Sequence, residues 1–241
     1  PTFIQSVQKT RRRTRPPSRR SSSVLTWVKA PDPIPRHLRL MNAMSTEHVC
    51  GPIDTMMREH RLIEQVLASL AALAAQLETN PAAPRERIAQ FADFFRNFAD
   101  RCHHGKEEDQ LFAKLNECGF PREHGPVGVM LAEHAEGRRH VEALSKIGAG
   151  TGPLRSDEAA QVVSHARQFI PLLLDHIRKE DHVLYPMARQ AIPADGMIQL
   201  DTACRAYDQD RIGPLEIQRL RDLAAELLRI HPPHPGVLAP A

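Results

Sequence analysis

Thirteen histidines are spread through this 241-residue chain, and several stand where a histidine needs a reason. Imidazole is a general acid or base near neutral pH and the commonest metal ligand. Facing a helical core, an unpaired polar side chain costs about 1–3 kcal/mol. Neighbours at ±3, ±4 and ±7 tell which face of a helix each histidine occupies. His60 has Ile53, Met56, Met57, Ile63 and Leu67 at those spacings, with Glu64 one turn on. His134 has Val127, Met130, Leu131 and Val141; His176 has Phe169, Leu172, Leu173 and Val183, with Glu180 one turn on. In the adjacent pair, His103 leads forward to Glu107, Gln110 and Lys114, a solvent face. His104 leads to Glu108, Leu111 and Leu115, a core face. The spacing predicts His104 inward and His103 at the surface.

The resulting donors are His60, Glu64, His104, Glu108, His134, His176 and Glu180. Side chains at i and i+4 stand about 5–6 Å apart on a helix, so each His–Glu pair can meet one cation or two adjacent ones. Seven N/O donors exceed the six positions of an octahedral ion, and carboxylates bridge, which favours two metals. Imidazole and carboxylate without an inward thiolate suit iron or manganese better than structural zinc. His165 lies three turns from His176, too far for the same ion, and His140 and His182 point away. Tyr185 is expected at the bundle end and Cys102 as a structural thiol. Lys106, Lys179, Arg138 and Arg178 read as solvated or outer charges.

Four long helical patterns position these residues. One runs from Gly51-Pro52 to about Glu78 and stops at Asn80-Pro81; a second spans Pro84 to Glu117. A third covers about 126–147. The fourth starts with Ser156 as cap, passes Pro171, where a kink is expected, and reaches about Gln190. A weak segment (197–206) and an amphipathic helix from Leu215 to Ile230 follow. Alternating β patterns are missing and aromatics make up only 5%. The expectation is an all-α, up-down-up-down four-helix bundle over 52–190 with a C-terminal helical extension over 191–241. No run reaches the roughly 18 apolar residues of a spanning helix, so no membrane partner is expected. Cys50, Cys102, Cys118 and Cys204 form no CxxC pair, which fits a reducing compartment, the cytoplasm.

The formal net charge of +3 hides two unlike parts. Residues 1–43 hold ten basic residues against one acid, +9; residues 44–241 hold 22 against 28, −6. The leader is rich in Arg, Pro and Ser, without apolar periodicity, and is expected to be disordered. Three readings fit it: a nucleic-acid-binding arm, an acid-poor presequence, or residues upstream of a true start at Met41 or Met44. The third is the working expectation, because the periodic pattern begins only after Met44.

Glu59-His60, the run from Cys102 through His103-His104-Gly105-Lys106-Glu107-Glu108 to Phe112, Glu133-His134 through Arg138, and His176 through Asp181 together resemble the hemerythrin-like (HHE cation-binding) family over about residues 52–190. The resemblance implies a four-helix bundle with a non-haem di-iron centre, histidine ligands at His60, His104, His134 and His176, and Glu108 and Glu180 as bridging carboxylates. Oxygen-carrying hemerythrins have a fifth histidine where this chain has Arg138, and an Asp where it has Glu180. The lost imidazole opens a coordination position or hands it to Glu64, which argues against a simple oxygen carrier; Arg138 is expected to pair with a ligand carboxylate. Three activities fit: binding or sensing of O₂, NO or peroxide; oxidoreduction or iron-sulfur repair; and cation storage without turnover. The implied cofactor is two iron ions, ahead of manganese or zinc. A small diatomic ligand or peroxide is the expected partner, nucleic acid only through the leader. The C-terminal helix is a candidate surface for a homodimer or protein partner.

Overall fold

The computed structural model describes residues 51–81 and 83–233. The basic leader, with Met41 and Met44, and Cys50 lie outside the described residues. Within them the chain is all-α, and no helix is long and apolar enough to cross a membrane. Helix α1 is Pro52–Thr79; proline suits its first turn, and the Asp54 carboxylate accepts the Gly51 N–H at 3.3 Å. The second rod is composite. Helix α2 (Arg85–Phe94) passes into π-helical stretches Phe95–His104 and Glu107–Leu111 before α3 (Phe112–Glu117). Helix α4 is Gly125–Gly148. The fourth rod joins α5 (Ser156–Lys179), a π-helical stretch Glu180–Leu184 and α6 (Tyr185–Ala191). Helix α7 (Ala194–Ala206), a π-helical stretch Tyr207–Ile212 and α8 (Pro214–Ile230) complete the described chain.

The four rods form the up-down-up-down bundle that the apolar periodicity demands. Gly148 lets α4 lie against α2, since a Cβ there would sit 2.6 Å from the Ala89 nitrogen. Arg155 is the residue before α5: its N–H donates to Glu158 Oε2 at 2.9 Å. Ser156 is therefore the first helical residue rather than the cap that its side chain suggests. Helix α5 runs on through Pro171.

Two apolar clusters fill the bundle. One gathers Leu67, Leu70, Leu73, Phe91, Phe94, Phe95, Phe98, Leu144, Val162 and Phe169. The other gathers Ile53, Met56, Leu111, Phe112, Leu115, Val127, Leu184, Tyr185 and Leu200. Between them in every rod lie the buried histidines and glutamates, so the core is interrupted by one polar layer. Helix α8 packs outside: Leu220, Ala224 and Leu227 are fully buried, and Ser69 Oγ donates to the Leu227 and His231 carbonyls. Its apolar stripe is thus taken up by the chain's own bundle.

Candidate metal centre

Five histidines meet in the polar layer: His60 from α1, His103 and His104 from the second rod, His134 from α4 and His176 from α5. All are buried. Their Nδ1 atoms face outward to carboxylates. His60 Nδ1 lies 2.8 Å from Asp181 and His103 Nδ1 2.8 Å from Glu59. His134 Nδ1 lies 2.7 Å from Glu108, and His176 Nδ1 3.0 Å from Glu133. His104 Nδ1 is 3.4 Å from Asp100, within ion-pair range but without hydrogen-bond geometry. A carboxylate on one ring nitrogen fixes the tautomer and leaves the other nitrogen's lone pair free, the arrangement of a metal-ligating imidazole.

Four of the Nε2 atoms accordingly converge on two fully buried carboxylates. His103 and His134 Nε2 each lie 3.6 Å from Glu107 Oε2; His60 and His176 Nε2 each lie 3.2 Å from Glu180 Oε2. Two overlapping donor groups result. His104, Glu107, His134 and His176 bring one donor atom each to within 4.8 Å of one another, and so do His60, His103, Glu107 and Glu180. Glu107 belongs to both, and Glu180 touches a histidine of each. His103 Nε2, Glu107 Oε2 and both Glu180 oxygens are buried without a hydrogen-bond partner. Orphaned donors of this kind, all N and O, fit cations with shared carboxylates.

The electrostatics point the same way. Burial and the facing Glu180 charge push Glu107 well above the usual carboxylate range. Burial alone would raise Glu180 too, but His176 and His60 hold it well below. Burial pulls His103 and His134 well below the usual imidazole range, and His104 down as well. In His176, burial is outweighed by Glu180 and Glu133, raising it to about 9. Two carboxylates facing each other in a dry layer ionise together only with positive charge between them.

Sequence spacing placed His60, His104, His134, His176 and Glu180 in this layer, and all five are there. Three expectations are corrected. His103 is not on a solvent face: it is 1% exposed. Glu107 is the central acid of its pair, while Glu108 lies outside on His134 Nδ1, where Arg138 Nη2 also donates to it at 2.6 Å. Glu64 stands outside the layer, paired with Arg61 at 3.2 Å. The cause is local winding. Bonds from i to i+5 make the turn wider than 3.6 residues, so a face projected at the α-helical period drifts by the time it reaches 103–108.

Tyr185 was also misplaced by its spacing. Its ring stacks on His60 at 5.3 Å, and its buried hydroxyl donates to Glu107 Oε1 at 2.7 Å. The π-helical stretch before it turns it inward. Glu59, Glu133 and Asp181 stand beside or near a histidine in the sequence but face histidines of other rods, while Asp100 faces His104 one turn on in its own rod. Lys106 is buried, its ammonium bonded to Glu59 and, at 2.9 Å, to Asp208. Burial would lower it, but those carboxylates outweigh burial and raise it. Cys102 is buried and its thiol is pushed up to about 12, an inert group. His140 and His165 pair with each other, Nδ1 to Nδ1 at 3.1 Å, outside the layer. A cleft between the second rod, α4 and α5 leads to His104.

A family model for the hemerythrin HHE cation-binding domain matches residues 51–188. This chain belongs to that family. The hemerythrin-type domain accounts for the four rods and the polar layer; α7 and α8 lie beyond it. Uncharacterised proteins of Mycobacterium tuberculosis and Mycobacterium bovis are similar, 25% identical over 183 residues, covering 74% of this chain and 69% of theirs. No solved structure matches.

Proposed function

We propose that this protein is a non-haem di-iron protein that binds, senses or reacts with O₂, NO or peroxide. The carrying observation is the gathering of five buried imidazoles around two shared, buried carboxylates, with Glu107 Oε2 and both Glu180 oxygens lacking a hydrogen-bond partner. His104, His134 and His176 would hold one ion and His60 and His103 the other, with Glu107 and Glu180 common to both. Bound iron would supply two adjacent one-electron centres and Lewis acidity toward a small ligand. The chain's own groups hold the donors ready. Outer carboxylates orient the rings, Tyr185 fixes Glu107 through its hydroxyl proton, and Arg138 holds Glu108 against His134. Burial and the Glu107 charge keep that Tyr185 proton on well above the ordinary phenol range. Donor chemistry without thiolate favours iron over structural zinc, with manganese next. Free thiols at Cys102, Cys118 and Cys204 are consistent with a cytoplasmic, reducing setting.

The cleft at His104 favours a second reading, an oxidoreductase turning over peroxide or NO, over cation storage, because it gives a ligand a route to the centre. Metal analysis with optical spectra under air, NO and peroxide tests both. The expected result is about two iron per chain, with near-UV absorption that responds to these ligands. Repeated peroxide consumption would mark an enzyme, and a single stoichiometric response a carrier or sensor. About one zinc per chain and no iron would overturn the proposal.

A further inference from the structure

The cleft beside His104 is larger and more apolar than a diatomic ligand requires. It is a half-open cleft of about 490 Å³, within the usual range for small organic ligands. Phe95, Ala99, Val141, Phe169 and Leu173 form its walls, and His104 stands at its inner end. Of the five layer histidines His104 is the most exposed, 6% against 0–1%. The cleft is therefore the side from which a ligand reaches the imidazoles.

The charges at its mouth are already matched. Arg96 pairs with Glu142, Arg139 with Glu136, and Arg138 with Asp100 and Glu108. Each rim guanidinium thus has a carboxylate from the same chain, so the rim holds no unpaired cation to anchor an anion, and the apolar walls are the larger part of the lining. Gly137 supplies an independent observation. It is buried in the middle of α4 and lines the cleft. Glycine weakens a helix interior relative to alanine. Packing does not demand it here, because a Cβ would meet only Phe169 Cε2, at 3.4 Å. At Gly148, by contrast, a Cβ would run into the backbone of Ala89. The missing side chain at 137 keeps the cleft open.

We infer that this cleft binds an uncharged apolar organic molecule with one oxygen-bearing end, an alcohol or hydroperoxide. The apolar body lies along Phe95, Phe169 and Leu173, with the oxygen toward His104 and Arg138. The inference deepens the di-iron reading and rests on it only for what the oxygen end approaches; the binding itself requires only the cleft.

Cumyl alcohol, unreactive and of suitable size, is the probe, titrated by ligand-observed NMR into the full chain carrying its metal. Saturable binding is expected in the wild type. Gly137→Leu should weaken it at least about tenfold with metal content and circular dichroism unchanged. In iron-loaded protein the probe's hydroxyl end should be broadened more than its ring. Val141→Phe, which narrows the cleft from beside Gly137, serves if Gly137→Leu does not fold. Absence of saturable binding to the wild type, or undiminished binding by a folded variant, overturns the inference. Binding that is lost in the variants while no iron is found sinks the di-iron reading and leaves the cleft assignment standing.

Discussion

Replacing Glu107 by glutamine tests which acid of the Glu107-Glu108 pair serves the centre. The substitution keeps the shape: the amide oxygen can still accept from Tyr185, which now donates at 2.7 Å, and the amide N–H groups can donate toward Glu180. It removes a negative charge common to both donor groups. Losing an outer carboxylate behind a metal-bound histidine costs about 10–100-fold in affinity, and Glu108→Gln, which touches His134 Nδ1 and Arg138, belongs in that range. Glu107→Gln would take a donor from both proposed ions and should exceed about 100-fold, or about 2.7 kcal/mol. Without metal the sign reverses. Burial and the facing Glu180 charge then keep Glu107 protonated, at a cost in stability, because they push it well above the usual carboxylate range. A neutral amide with two partners relieves a desolvation cost on the order of 1–3 kcal/mol. Metal stoichiometry after dialysis against chelators of graded strength, with thermal melting before and after metal removal, reads both effects. Glu108→Gln stripping the metal while Glu107→Gln keeps it would refute the reasoning, as would a lower Tm for metal-free Glu107→Gln.

Three further outcomes follow from the same geometry. His103→Ala should lose metal and Glu64→Gln should keep it, because His103 is in the layer and Glu64 pairs with Arg61 outside it; elemental analysis of the two purified variants decides. Gly148→Ala should cost about 1–3 kcal/mol in urea unfolding, since its Cβ would lie 2.6 Å from the Ala89 nitrogen, and an unchanged midpoint would contradict the α2–α4 packing. Arg219 joins α8 to α2 through Asp93 at 2.7 Å and pairs within α8 with Glu216 at 2.7 Å; Arg219→Ala should cost no more than about 1 kcal/mol at neutral pH. The Arg219 hydrogen bond depresses Glu216 below 4.5. That share of stability is present above pH 4.5 and lost as pH falls through the folded value. The gap between wild type and variant should therefore close on acidification, and a gap constant with pH would count against the linkage.

The helices and the inward histidines were legible because both rest on α-helical periodicity, which holds over α1, α4 and α5. His60, His134 and His176 follow from it directly. In the second rod the same rule chose His104 and missed His103, and it took Glu108 for Glu107. The helix there is wound from i to i+5 across Phe95–His104 and Glu107–Leu111, a change of pitch that the apolar pattern does not announce. Tyr185 was lost for the same reason, one π-helical stretch beyond Glu180. The outer acids were beyond reach by a different route: Glu59 serves His103, Glu133 serves His176 and Asp181 serves His60, each across to another rod.

The sequence by itself determined an all-α chain in which four rods each bring at least one histidine to one level, with acids close by, because helical period and burial cost act within a single rod. Only the tertiary structure decided which side chains meet in the polar layer. Which of two adjacent residues points inward depends on winding set by the packed bundle, and which carboxylate orients which imidazole depends on contacts between rods that sequence separation does not encode.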